Sequence, residues 1–548
     1  MRAGPGGHGP VASTATSVAC APVPSTALPR PRVGAPVDLA TLAGTLAGTL
    51  DGPPAAVTGV SLATARTAPG DLFVALAGRT THGARHAAAA RAAGAVAVLT
   101  DAAGADLLAA DPQLADLPRL VVADPRAAAG PAAAAVYGDP SADLRVVGVT
   151  GTSGKTTTTF LVRAGLAAAG REPGLVGTVA TLIGDEHVRT GFTTPEAPDL
   201  QALLAVMRER GVGDVAMEVS SQGLVLGRVA GTRFAAAGFT NLSQDHLDFH
   251  PDLDAYFEAK ATLFTGGSGT TVTGPLLVVV DDAAGRRLAD RLGDAATTLS
   301  TTGADADWTA SAVEVTGDGT ARFVVHAPGG RRFAAASAVP GRFNVANVLL
   351  AVALLEAVGV DPEVSLPAVS RATVPGRMEK VSRRGEPLGV VDYSHKPDAV
   401  AGALAALRPL TAGRLVVVLG CGGDRDPFKR PLMGEVAARG ADLLVVTDDN
   451  PRSEDPAAIR AAVLAGARAV PAAERGEVVE VGSRAEAIRT AVAALAPGDT
   501  VLVAGKGHET GQEVAGVVRP FDDRSELRAA LDGWDLAHGL AGDPEVTP

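Results

Sequence analysis

The sequence predicts an α/β chain of three domains: a small mixed α/β N-terminal domain, a central P-loop domain with a mostly parallel sheet, and a doubly wound, Rossmann-like C-terminal domain. Three observations predict it. The chain has 548 residues, 47% of them hydrophobic, enough for about three separate cores. An apolar run, Val146–Val149, leads into Gly151-Thr152-Ser153-Gly154-Lys155-Thr156-Thr157 and then a helical pattern to Gly170. Beyond Pro375, short apolar runs alternate regularly with helical ones.

Residues 1–38, rich in Pro, Ala, Gly, Ser and Thr without periodicity, read as a disordered tail. The N-terminal domain takes 39–138. A first helix starts in Ala40–Leu50, Thr67–Gly78 reads as a turn and strand, and Gly83–Gly94 as a helix. Strands follow at Ala95–Asp101 and at Leu117–Asp124. The central domain takes 139–375, with further strands at Val215–Val219, Ala235–Phe239 and Leu276–Val280. The last domain, 376–548, has strands at Leu388–Val391, Leu415–Leu419, Leu443–Val446 and Val501–Ala504. Its helices fall near Asp398–Leu407, Arg430–Arg439, Pro456–Ala467 and Arg484–Leu495.

Composition excludes several classes. A net charge of −12 argues against nucleic acid as a general partner. Two cysteines, Cys20 and Cys421, make neither a disulfide framework nor a cysteine zinc site. No apolar run reaches a membrane span and no h-region opens the chain, so a cytoplasmic protein is expected. Gly-x-Gly-x-x-Gly is absent from the last domain, which argues against a dinucleotide.

The chemistry gathers after strands, where open α/β sheets place ligands. The glycines of 151–154 let backbone N–H groups approach phosphates at a helix N-terminus. Lys155 would neutralise phosphate charge, and the Thr156 hydroxyl would reach Mg²⁺. Glu218 ends a strand and suits Mg²⁺, which takes hard oxygen ligands. His246, in a polar segment, reads by itself as a hydrogen-bonded loop histidine. Lys260, in the amphipathic stretch Tyr256–Phe264, reads by itself as a snorkelling surface lysine. Three charged loops, Gly420–Arg430, Thr447–Pro456 and Ala504–Glu509, should converge on one face of the last sheet. Arg425, Asp449, Asn450, Arg452 and Glu509 then suit a zwitterion such as an amino acid.

Together GTSGKTTT, TTPEAPDL, MEVSS, FTNLSQDHLDFH, YFEAK, GRFNVANVLLA, PGRMEKV, DYSHKPDA, GCGGDRD, DDNPRSEDP and AGKGHE, in this order, resemble the Mur ligases. These are ATP-dependent amino-acid ligases of peptidoglycan synthesis, and the likeness spans roughly residues 40–535. The resemblance implies that the first domain holds a UDP group, the second ATP and the third the incoming amino acid. Gly151–Thr157, Asn347, Arg377 and Asp392 would contact ATP. Thr156, Glu218, His246 and a carbamylated Lys260 would serve two Mg²⁺ ions. Thr193, Thr194, Ser221 and Arg228, with Thr64, would contact the UDP-sugar dipeptide. Arg425, Asp449, Asn450, Arg452, Gly505 and Glu509 would contact the amino acid.

The implied partners are ATP, UDP-N-acetylmuramoyl-L-alanyl-D-glutamate and meso-2,6-diaminopimelate, joined through an acyl phosphate by an enzyme acting as a monomer. A lysine-adding sister ligase and a nucleotide-binding homologue without turnover are the alternatives. The chain departs from the family in three places. Asp-Ser-Arg reads Ala63-Thr64-Ala65, SSHAL reads Ser220-Ser221-Gln222-Gly223-Leu224, and DYAH reads DYSH, with Ser394.

Overall fold

The structure, a computed structural model, describes residues 28–538 except 33, 79, 247, 248, 268 and 318. Cys20 and most of the expected tail lie outside the described residues.

The first domain carries a five-stranded sheet in the order Thr49–Asp51, Arg119–Val121, Ala97–Thr100, Asp71–Val74 and Gly59–Ser61. All neighbours are parallel except the first pair. Leu39, Leu72, Leu99 and Ala132 pack one face, and Phe73, Val98 and Leu108 the other. The expected first helix is short, Leu39–Thr45, and the end of its span, Thr49–Asp51, is a strand instead. The intervening Gly48 lies against Leu120 and Val122, where a Cβ would crowd the sheet. Asp124 ends no strand: its carboxylate caps the helix Pro125–Val136.

The end of the expected tail is ordered by its contacts. Arg30 pairs with buried Asp71 at 2.5 Å, Leu28 packs on the central core, and the Arg32 N–H donates to Glu209. Val37–Asp38 then pairs with Ala56–Val57.

The central sheet has eleven strands. Its middle is parallel: Pro173–Val176, Asp214–Glu218, Arg145–Thr150, Ala236–Phe239, Leu276–Val279, Ala296–Ser300 and the start of Trp308–Val315. Antiparallel strands extend both edges, among them Ala321–Ala327 and Arg331–Ser337, the latter an RRFAAAS sequence with little strand signal. Helices Lys155–Ala168 and Asn344–Ala357 cover one face, and Ala197–Glu209 and Leu253–Thr265 the other. The P-loop strand lies between two neighbours in a register that sets Glu218 beside Val149 and Phe239 beside Thr150. The segments after these three strands therefore emerge side by side.

The last sheet runs Glu379–Lys380, Leu388–Asp392, Thr500–Ala504, Leu415–Leu419, Leu443–Val446 and Glu477–Glu480, parallel except at its first edge. Separate apolar clusters cover its two faces, as a doubly wound sheet requires. Among the described residues no helix is long and apolar enough to cross a membrane.

Candidate functional site

A cavity of about 750 Å³ lies between the central and last domains. Its floor is the P-loop. Gly154 is left-handed (φ 88°) and a Cβ there would collide with the Asn347 amide, so only glycine lets the loop pass that side chain. Thr152–Thr157, Thr193, Glu218, Ser221, Arg228, His246, Lys260, Asn347, Arg377 and Asp392 all line this cavity.

Lys155 donates from Nζ to the carbonyls of Gly151 (2.7 Å) and Thr152 (2.8 Å). Lys260 is 1% exposed and donates to the same Gly151 carbonyl at 2.7 Å, with its Nζ 4.3 Å from the Tyr256 ring centre. Burial, then the charge of Lys155, pushes the Lys260 ammonium well below the ordinary lysine range, and Asp245 only partly opposes them. Lys260 is thus no snorkelling surface lysine. The helix Leu253–Thr265 turns it inward with Tyr256, Leu263 and Phe264.

Glu218, 1% exposed, accepts the Thr178 N–H at 2.8 Å and the Thr178 hydroxyl at 3.1 Å. His246 is left-handed (φ 54°), and its ring meets Tyr256 edge-on with centroids 6.1 Å apart. Burial lowers its pKa, which favours a neutral imidazole with a lone pair to offer. Among the described residues no three His, Cys, Asp or Glu side chains form a metal cluster. Glu218 supplies one carboxylate in the cavity, and Mg²⁺ binds through one or two carboxylates while keeping water and phosphate oxygens. Burial favours the neutral amine at Lys260, the form in which a lysine adds CO₂ and loses a proton to become a carbamate.

The last domain closes the cavity. Arg377 stacks on Tyr393, 4.8 Å from the ring centre, and its buried Nε has no hydrogen-bond partner. An orphaned guanidinium nitrogen beside a P-loop fits an anion such as a phosphate. Asp392 accepts the Met378 N–H at 2.7 Å and the Ser394 hydroxyl. Lys396 forms an ion pair with Asp245 of the central domain. Burial acts to raise the Asp245 carboxyl, but Lys396 and His246 outweigh it and hold that carboxyl below its usual range.

The three charged loops converge as expected, but outside this cavity. Asn450 donates to Glu509 at 2.8 Å, and Arg452 donates from Nη1 to the Gly423 carbonyl at 2.6 Å. Arg452 is left-handed (φ 53°) and is clamped by backbone bonds to Glu513 and Ala515. A Cβ at Gly422 would crowd the Arg452 guanidinium and touch the stem of exposed Arg425. Gly505 abuts the Asp449 carboxylate, leaving no room for a Cβ. The loops adjoin the cavity through Tyr393, whose ring lies 4.9 Å from that of His508.

Known proteins are similar to this chain along most of its length. Residues 56–137 match the Mur ligase family catalytic domain, 149–355 the Mur ligase middle domain, and 376–507 the Mur ligase glutamate ligase domain. The UDP-N-acetylmuramoyl-L-alanyl-D-glutamate–2,6-diaminopimelate ligase of Streptomyces avermitilis is 52% identical over 505 residues, covering 92% of this chain and 98% of that one. The chain belongs to the Mur ligase family. The ligase of the same name from Corynebacterium glutamicum is 51% identical over 497 residues, 89% of this chain and 95% of that one. A solved structure of a ligase with this name superposes with a TM-score of 0.64 at 33% identity, covering 87% of this chain and 95% of that one.

Within this Mur ligase, two of the residues matched to the UDP-sugar dipeptide lie off the cavity. Thr194 is wholly buried: its hydroxyl donates to the Glu218 carbonyl and accepts the Ser220 N–H, each at 3.0 Å. It shapes the loop that presents Glu218 and Ser221. Thr64 stands in a 3₁₀ turn of the first domain, outside the cavity lining. Gly151, also outside the lining, lies beneath the loop, where its carbonyl joins Lys155 and Lys260. The residue-by-residue sequence reading misses Asp245, Lys396, Tyr256 and Lys506. The first three lie inside motifs that the resemblance quotes, and Lys506 stands beside Gly505 in AGKGHE, so the motifs themselves were the available signal.

Proposed function

We propose that this ligase adds meso-2,6-diaminopimelate to UDP-N-acetylmuramoyl-L-alanyl-D-glutamate, with ATP as the energy source, in cytoplasmic peptidoglycan synthesis. The observation that carries the reading is the shared cavity. Lys155 and Glu218 of the central domain face Arg377, Asp392 and Lys396 of the last domain across one space of about 750 Å³. A carboxylate is a poor acyl donor, so the first step makes a leaving group. An oxygen of the D-Glu γ-carboxylate attacks the γ-phosphorus, and ADP departs. The diaminopimelate amine then attacks the acyl phosphate carbon, loses a proton, and expels phosphate.

The protein's part is positioning and charge neutralisation. Lys155 and Arg377 would lie along the phosphates, with Asn347 and Asp392 holding the nucleoside. Thr193, Ser221 and Arg228 would hold the dipeptide end. Thr156, Glu218, His246 and carbamylated Lys260 are the residues that would hold two Mg²⁺ ions, which neutralise the charge between carboxylate and phosphate when bound. Arg425, Asp449, Asn450, Arg452, Gly505 and Glu509 would take the diaminopimelate, Arg452 facing its far carboxylate.

The test is phosphate release measured with each substrate omitted in turn. Release that needs all three supports the proposal. Equal release without the UDP-dipeptide or without the amino acid would overturn it.

A further inference from the structure

Within the third charged loop, Ala504–Glu509, lies a buried cation that no role above accounts for. Lys506 is 0% exposed, between Gly505 and Gly507 at the end of the strand Thr500–Ala504. Its Nζ donates to Asn450 Oδ1 at 2.9 Å and to Glu509 Oε2 at 3.2 Å. Asn450 Oδ1 also accepts the Glu513 N–H at 3.0 Å, and Asn450 Nδ2 donates to Glu509 Oε2 at 2.8 Å. Two donors on the oxygen and a carboxylate on the nitrogen fix which way this amide points.

We infer that Lys506 is a positioning residue for the amino acid, setting Glu509 in the geometry that receives an ammonium group and Asn450 in the geometry that donates to a carboxylate oxygen. The inference rests on the proposed function and goes beyond it to a group that itself touches no substrate. The physical argument concerns direction. With Lys506 present, one oxygen of Glu509 is occupied from behind by Lys506 and Asn450. Its second oxygen is left to accept a ligand ammonium. Asn450 spends its oxygen inward, which leaves its second N–H for a ligand oxygen. Without Lys506 the amide loses one of the two donors that orient it, and Glu509 loses the buried cation that holds it. The carboxylate can then turn toward solvent, because the Glu509 side chain is 32% exposed whereas that of Lys506 is 0%.

The test uses Lys506→Met, which keeps the length and removes the charge. Hydroxylamine intercepts the acyl phosphate as a hydroxamate without any amino acid bound, so it reports the first step alone. The expected result is normal hydroxamate formation with unchanged ATP and UDP-dipeptide KM. The diaminopimelate KM should rise about tenfold or more, as for a lost hydrogen bond to a charged group. Lys506→Met combined with Glu509→Gln should then be little worse than Glu509→Gln alone, because the two act as a unit.

An unchanged diaminopimelate KM would overturn the inference. So would a parallel loss of hydroxamate formation and ligation, which would mark Lys506 as support for the domain as a whole. Additive effects in the double variant would overturn it too. Failure of the wild-type enzyme to form hydroxamate would instead count against the proposed reaction.

Discussion

Replacing Lys260 by methionine should abolish turnover and yet stabilise the folded protein. The Lys260 ammonium is 1% exposed, with a hydrogen bond to the Gly151 carbonyl at 2.7 Å. That carbonyl also accepts Lys155 at 2.7 Å, so methionine leaves no orphaned acceptor. Burial, with Lys155 second, sets the folded-state pKa well below the unfolded one. Between those two values the unfolded chain binds a proton that the folded chain does not, so wild-type stability rises with pH across the window. Below the window both states are protonated and the folded state carries the full desolvation cost. Methionine removes that cost.

Exchange of a buried ion pair for apolar groups of similar volume is often neutral or stabilising by about 1–4 kcal/mol, and Lys260, whose burial outweighs the charge of Asp245, falls on the stabilising side. For a domain of this size that corresponds to several degrees, at about 2–4 °C per kcal/mol. The assay is calorimetry of both proteins in Mg²⁺-free, CO₂-depleted buffer from about pH 6 to about pH 10. The variant should melt higher at the acid end, with the gap closing as pH rises. A variant that melts lower throughout, or a gap that widens with pH, would refute the reasoning.

Three further outcomes follow from the same geometry. Lys155→Ala should lower kcat about a hundredfold or more with an unchanged circular dichroism spectrum, since Lys155 packs no core. Near-normal turnover would show that the nucleotide site has been misplaced. Gly154→Ala forces a left-handed residue against the Asn347 amide and should raise the ATP KM about tenfold, measured by phosphate release. In Lys260→Ala, acetate should restore part of the lost turnover by entering the vacated space, and a crystal of the active, Mg²⁺-bound enzyme should show a carbamate on Lys260. An unmodified amine there would remove the basis for both.

The parts legible in the sequence were those whose chemistry is local. Gly151–Thr157 needs its residue types at fixed spacing after a strand, and both parallel sheets announce themselves as Val- and Leu-rich runs. What was illegible depends on residues far apart in the chain. Nothing near Lys260 shows that its ammonium will reach a carbonyl 109 positions away. Asp245 and Lys396 come from different domains, and only their folded arrangement makes them a pair. The strand Arg331–Ser337 hides behind its alanines, which do not favour sheet, whereas Phe323-Val324-Val325 in Ala321–Ala327 carried a strand signal that the reading of the sequence passed over. Thr194 looks like a ligand contact in TTPEAPDL, yet its hydroxyl is consumed in holding the loop after Glu218. The segment 28–38 has the composition of a linker, but Arg30 and Leu28 find partners that composition cannot foretell.

The central claim is that this site selects meso-diaminopimelate, and the direct measurement is kcat/KM for that substrate against L-lysine. Arg452 already donates to the Gly423 carbonyl at 2.6 Å and lies 3.6 Å from a Glu513 oxygen, so lysine would not leave it without partners. The preference is therefore set by one charge-assisted contact, about 1.5–3 kcal/mol, or roughly tenfold to a hundredfold in kcat/KM. The account predicts a ratio of that size in favour of meso-diaminopimelate, collapsing toward unity in Arg452→Ala chiefly through KM. Equal kcat/KM for the two amino acids in the wild-type enzyme would contradict it and assign the chain to the lysine-adding branch.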